Sequence, residues 1–164
     1  KIVVQSEYGK GSKFMVSIDQ KIVNTPQVTT TIESDETIKH DLSKKKILIV
    51  DDNNLNLKVA ERLLRSYNPI IETCTSGFEA IEKIASGNKY DLILLDDMMP
   101  KLSGVDTLHR LQENPEFKIP TVALTANAIT GMREKYLAEG FTDYLAKPIE
   151  KPELNHILKK YLDK

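Results

Sequence analysis

The chain has 164 residues, 40% hydrophobic and 29% charged, with a formal net charge of −1. That length fits one domain, or one domain with an appendage, and the balanced charge gives no electrostatic reason to expect nucleic acid or a membrane surface as partner. No apolar run approaches the ~18 residues needed to cross a bilayer and no secretory signal is visible, while the single cysteine, Cys74, excludes an internal disulfide and suits a reducing cytoplasm.

The sequence opens at Lys1 in the middle of a strand pattern, which reads as a piece of a longer protein. Residues 1–19, KIVVQSEYGKGSKFMVSID, hold two strand-like runs, Lys1–Gln5 and Lys13–Asp19, around Gly9 and Gly11, the pattern of a β-hairpin. Residues 20–44 are polar and threonine-rich, a linker by composition. From residue 45 to 164 a single rhythm takes over. Short apolar runs at Ile47–Val50, Ile70–Thr73, Leu92–Leu95, Thr121–Leu124 and Tyr144–Ala146 alternate with helical patterns. Leu55, Val59 and Leu63 share one helix face, as do Phe78, Ile81 and Ile84, and Val105, Leu108 and Leu111. A fourth helix of about Ile129–Glu139 stops at Gly140, and a fifth carries the stripe Leu154, Ile157, Leu158, Tyr161 and Leu162. Five strands alternating with five helices imply an α/β fold, a parallel sheet covered on both faces.

Ligands of open parallel sheets sit beyond the carboxyl ends of the strands, where strand order reverses. Those ends carry Asp51-Asp52 on the first strand, Asp96-Asp97 on the third, Thr125 on the fourth and Lys147-Pro148 on the fifth. With strand order 2-1-3-4-5 the first and third strands are neighbours and their acids share a crevice. Unit charges 4 Å apart interact by about 4 kcal/mol at an effective dielectric of 20. Crowded carboxylates therefore stay ionised only beside a cation, and hard oxygen ligands without His or Cys suit Mg²⁺. A carboxylate, a hydroxyl and an ammonium around such a site can stabilise a phosphoryl group in transfer to an aspartate. Asp-Asp-Asn after a strand also serves as a helix N-cap, and a lone Thr or Lys at a strand end carries no message. The combination, one such group per strand, is what points to chemistry.

ILIVDDNNLN, DLILLDDMMPKLSG, TVALTANA and DYLAKPIE together resemble the receiver domain of two-component response regulators, over residues 45–164. The resemblance implies a flavodoxin-like (βα)₅ doubly wound sheet of order 2-1-3-4-5. It implies phosphorylation at Asp96, four residues before Pro100, with Asp97 a bystander. It further implies Mg²⁺ held by Asp52, Asp96 and the main-chain carbonyl of Met98, with Asp51 acting through water. Thr125 and Lys147 would contact the phosphoryl group, Tyr144 would swing inward on activation, and Lys147–Pro148 would be cis. The implied partners are the phosphohistidine domain of a histidine kinase or a histidine phosphotransfer protein.

SEYGKGSKFMVSI is similar to the glycine box and last strands of a histidine-kinase ATP-binding domain, which makes residues 1–19 the tail of that domain in a hybrid kinase. It is no Walker A loop, because Lys10 is followed by Gly11, and without the rest of the ATP site this stretch is expected neither to bind ATP nor to act as a kinase. His109 and His156 fall within helical patterns and His40 within the linker, so none is read as a phosphoacceptor. Two other function classes compete: a Mg²⁺-dependent phosphohydrolase with an aspartyl nucleophile, and a non-phosphorylated interaction module. The first needs an acid two residues past the nucleophile, where Met98 stands; the second leaves the set of pocket residues unexplained. Met98 and Asn127 flank the approach of hydrolytic water to Asp96, which predicts slow loss of a phosphoryl group by hydrolysis.

Overall fold

A computed structural model of the chain describes residues 2–17, 41–126 and 132–163. His40, Asn127, Ile129, the end of the hairpin at Ile18 and Asp19, and most of the expected linker lie outside these residues. The chain divides into two compact units, Lys1–Glu36 and Thr37–Lys164.

In the first unit β1 (Ile2–Glu7) pairs antiparallel with β2 (Gly11–Val16), in register from Ile2 opposite Val16 to Glu7 opposite Gly11. The second strand begins two residues earlier than its side chains suggest. Gly9 and Gly11 take φ of +80° and +104°, open only to residues without a Cβ, so the turn closes tightly and pairing starts at once.

The second unit is a five-stranded parallel sheet of β3 (Lys46–Val50), β4 (Ile70–Cys74), β5 (Leu92–Asp96), β6 (Thr121–Thr125) and β7 (Asp143–Ala146), in the order β4-β3-β5-β6-β7. Counted within this unit, that is the order 2-1-3-4-5. Five helices intervene: α1 (Asn54–Leu64), α2 (Gly77–Ala85), α3 (Gly104–Gln112), α4 (Met132–Ala138) and α5 (Lys151–Leu162). Two apolar layers enclose the sheet. One joins Ile47, Ile49, Leu92, Leu94, Val122 and Leu124 to α1 and α5; the other joins Leu48, Val50, Ile93, Leu95 and Ala123 to Leu108 of α3 and Tyr136 of α4. Alternate residues of one strand thus serve opposite layers, which is why central strands read as unbroken apolar runs.

Local chemistry fixes where the first three helices begin. Asn53, Ser76 and Ser103 cap α1, α2 and α3, each accepting a backbone N–H from the first turn. The cap also sets the rotation of α1, and with it which stripe is buried. Leu57, Ala60 and Leu64 face the sheet, not Leu55 and Val59, which are 67% and 46% exposed. Both stripes are apolar at helical spacing, so periodicity alone could not choose between them. On α2, likewise, Gly77 and Ala80 are the buried residues and Phe78 is exposed, with the Arg110 guanidinium 5.6 Å above its ring. A Cβ on Gly77 would strike the Thr107 hydroxyl, so the close crossing of α2 and α3 requires glycine there.

The core reaches back beyond residue 45. Leu42 is buried among Ile47, Leu64, Tyr67 and their neighbours, its N–H donates to the Tyr67 carbonyl at 2.9 Å, and its own carbonyl accepts from Lys45. Leu42→Ala should therefore destabilise the second unit by about 2–4 kcal/mol in denaturant unfolding. A chain begun at Lys44 should unfold at lower denaturant than one begun at Thr37.

Candidate functional site

Every strand of the sheet ends on the same rim, and three strand ends converge on one ammonium. Lys147, one residue past β7, places Nζ 2.6 Å from Asp51 Oδ2 and 2.8 Å from Asp96 Oδ1. Asp51 follows β3 and Asp96 closes β5, adjacent strands in register from Ile47 opposite Leu92 to Val50 opposite Leu95. Both carboxylates are nearly inaccessible, at 1% and 5%, whereas Asp52 is exposed at the mouth. One oxygen of each of Asp51, Asp52 and Asp96 lies within 4.8 Å of the others. The Lys147–Pro148 bond is cis, as the receiver resemblance implied.

Asp51 is anchored as well as paired. Its Oδ1 accepts from the Asn53 N–H at 2.9 Å and the Asn56 amide at 3.1 Å, leaving Oδ2 for the lysine. Asp96 is held more loosely, by Lys147 and a 3.3 Å hydrogen bond from the Met98 N–H. Burial pushes the Asp96 carboxyl above its ordinary value. The Lys147 ammonium and the Met98 N–H pull it down, the Asp51 charge pushes it up, and the net shift is upward. Gly104 lets α3 pack against the main chain at this strand end: a Cβ there would fall on the Asp96 carbonyl and 2.8 Å from Asp97 Cα. The Gly104 N–H uses that closeness to donate to the Asp97 carbonyl at 2.9 Å.

Thr125 closes β6 one residue beyond the partner of Asp96 and is buried. Met98 turns its side chain outward, 73% exposed. Tyr144 is half-buried in β7 and touches the rim only at second hand, its ring stacked 6.5 Å from that of Tyr136.

Two residues that sequence reasoning passed over belong to this site. The Tyr136 phenol lies 2.7 Å from Asp97 Oδ2 and 3.0 Å from Thr125 Oγ1. One buried phenol thus joins Asp97 to the strand-end threonine. Nothing in the spacing announced this, since a tyrosine on an amphipathic helix is ordinary core material. His109 and His156 are exposed on α3 and α5, far along the helices from the strand ends that begin this site, and His109 contacts Glu139. Cys74 is buried, and loss of solvent drives its thiol up to about 12, so it stays protonated. A concavity of about 770 Å³ lies by the amino ends of β5 and β6 and includes Tyr90, Asp91, Phe117 and Pro120. It holds none of this chemistry.

The response regulator receiver domain model matches residues 47–159. The chain is 40% identical over 116 residues to the signal transduction histidine-protein kinase BarA of Escherichia coli K12, a match covering 70% of this chain and 12% of that protein. It is 35% identical to the aerobic respiration control sensor protein ArcB of the same organism, over 99% of this chain and 20% of ArcB. Among solved structures, the receiver domain of sensor histidine kinase PA1611 from Pseudomonas aeruginosa PAO1, with magnesium in its active-site cleft, superposes with a TM-score of 0.64 at 36% identity, over 73% of this chain and 98% of that one. The chain belongs to the response-regulator receiver family. It spans a fifth or less of the length of these two curated relatives.

Because Lys147 opposes the upward shift of Asp96, Lys147→Met should raise the Asp96 titration midpoint further in the metal-free protein. Carboxyl-carbon NMR of Asp96 against pH measures this. An unchanged midpoint would mean that the 2.8 Å ion pair is not populated in solution.

Proposed function

We propose that this chain accepts a phosphoryl group from phosphohistidine onto Asp96 and passes it on within a phosphorelay. The observation that carries the reading is the Lys147 ammonium seated between Asp51 and Asp96, with Asp52 at the mouth. An ammonium already in place on a buried carboxylate is positioned to neutralise charge as an anionic group joins that carboxylate. In the transfer, an Asp96 oxygen bonds to phosphorus as the phosphorus–nitrogen bond breaks. The electron pair of that bond returns to the imidazole, which takes a proton from solvent.

The acidic cluster fits Mg²⁺. It offers hard oxygens only, and three carboxylates face one ammonium, which leaves net negative charge at the mouth. Asp52 and Asp96, with the Met98 carbonyl, would be the direct ligands, and Asp51 would act through water. When bound, the ion would supply charge neutralisation on the phosphoryl oxygens. The chain's own groups do the rest: Lys147 holds one phosphoryl oxygen and the Thr125 hydroxyl donates to another. Movement of Thr125 would pass to Tyr144 and change the surface of α4, β7 and α5.

The partner surface is suggested by α1. Leu55 and Val59, unneeded by the core, stand exposed next to the capped start of the helix, on the same rim as exposed Met98. An apolar collar around a charged pocket suits docking of a phosphohistidine-bearing protein, with an apolar interface core around the transferred group. The tail supports a hybrid-kinase parent, since the ArcB match extends over 99% of the chain and so includes β1 and β2. We assign residues 1–19 to the end of a kinase ATP-binding domain and 45–164 to the receiver, with the linker expected over 20–44 ending where Leu42 enters the receiver core. No helix among the described residues is long and apolar enough to cross a membrane; we assign the receiver to the cytoplasmic side, in keeping with a lone buried cysteine that forms no disulfide. The hydrolase alternative lacks its second acid, because the outward Met98 thioether occupies that place.

Asp96→Asn should abolish labelling by Mg²⁺ and a small acyl phosphate, while Asp97→Asn should retain it; equal loss in both would move the acceptor off Asp96. Wild-type label should be lost slowly to water, since Met98 offers no group to hold the attacking molecule. Met98→Asn should hasten that loss, measured as release of inorganic phosphate from the purified phosphoprotein.

A further inference from the structure

The Lys147 ammonium serves two carboxylates at once, 2.6 Å from Asp51 Oδ2 and 2.8 Å from Asp96 Oδ1. Once Asp96 is modified, the same ammonium has to hold a phosphoryl oxygen. Whatever tightens the grip of Asp51 therefore withholds the lysine from that oxygen. Asp51 is buried, so its charge must be shared out among protein donors. Two of them meet on Oδ1, the Asn53 N–H at 2.9 Å and the Asn56 side-chain amide at 3.1 Å. The first is main chain. The second depends on the residue type: Asn56 is half-buried in the first turn of α1, three residues past the cap at Asn53. A side chain at that helix position can reach back toward the cap, and here it reaches two residues further, onto Asp51. A carboxylate can only accept, so it is the amide nitrogen that faces it.

We propose that Asn56 is a positioning residue that acts through Asp51, keeping Lys147 available to the phosphoryl group on Asp96. The inference rests on the roles of Asp96 and Lys147 given above. Its amide does two things. It takes up part of the Asp51 charge, and a carboxylate already stabilised by two donors on one oxygen pulls less on a cation at the other. It also gives Oδ1 a second anchor, which stops the carboxylate turning about its single bond to the Asn53 N–H and leaves Oδ2 facing the lysine. Without the amide, a buried carboxylate short of one donor would draw on the nearest cation, which is Lys147. The phosphoryl oxygen would then meet a weaker counter-charge. Lost dispersal of charge and lost orientation act in the same direction, so removing the amide weakens the phosphoryl site.

The test uses the 164-residue chain with Mg²⁺ and beryllofluoride as the phosphoryl stand-in, following the amide NMR signals of Thr125 and Tyr144. Asn56→Leu, close in volume but without a donor, and Asn56→Ala should each raise the half-saturating beryllofluoride concentration by about two- to tenfold, the range for one net hydrogen bond. Asn56→Gln should recover most of that loss, because its amide can reach back from the same helix position. Leu42→Ala, which weakens the core at the other end of β3 from Asp51, should leave half-saturation unchanged and so separates positioning from loss of stability. Unchanged half-saturation in Asn56→Leu and Asn56→Ala, no recovery in Asn56→Gln, or an equal rise in Leu42→Ala would overturn the role of Asn56. A wild type that ignores beryllofluoride, or an Asp96→Asn variant that responds equally, would instead overturn the assignment of the acceptor, and the role of Asn56 with it.

Discussion

The lysine after the fifth strand of the sheet sits within 2.8 Å of two carboxylates that its absence would set against each other. Each unit-charge interaction at about 4 Å is worth roughly 4 kcal/mol at an effective dielectric of 20. Two acids cannot be buried on adjacent strands without such a partner, and the partner cannot reach them unless β7 lies in the same sheet beyond β6. Strand order, the path of the chain after Ala146 and the charge state of the pocket are therefore one constraint seen at three scales. The remaining acid, Asp52, is exposed at the mouth, so the pocket keeps an unmet negative charge on the side open to solvent. That imbalance is what suits it to a divalent cation and an incoming phosphoryl group.

Around this fixed centre the groups differ in how tightly they are held. Asp51 has three partners, and its oxygens are committed. Asp96 has the Lys147 ammonium and one longer hydrogen bond from the Met98 N–H, and its burial outweighs both, so its carboxyl stays above the ordinary value. Thr125 is tied through Tyr136 to Asp97, outside the cluster. The rigid members make the site, and the member bound to a neighbour it can exchange is suited to switching. A concavity of about 770 Å³ lies at the opposite edge of the sheet from all of them.

The elements were legible in the sequence almost to the residue. Apolar runs marked all five strands of the sheet, each one residue longer in the structure, at the start for β3 and β7 and at the end for β4, β5 and β6, because backbone pairing does not stop where the apolar pattern does. The strand-end acids, Thr125 and Lys147 were legible for the same reason: a parallel sheet delivers every carboxyl end to one rim. Helix faces were less so. In α1 the stripes Leu55–Val59–Leu63 and Leu57–Ala60–Leu64 are both apolar, and only the way Asn53 caps the helix as it leaves β3 decides which is buried.

What the sequence determined by itself was therefore a pattern of periodicities and punctuation: the (βα)₅ order and its crowded rim of Asp51, Asp52, Asp96, Thr125 and Lys147. What only the tertiary structure decided were relations between residues with no shared period. Leu42 belongs to the core because the chain before β3 pairs with Tyr67, and Asp97 matters because α4 sets the Tyr136 phenol above the rim. The physical reason is the range of the interactions. Local periodicity records which face of an element is apolar, but a hydrogen bond between groups 39 residues apart depends on how two elements cross. That crossing is settled by packing volume and not by any spacing along the chain.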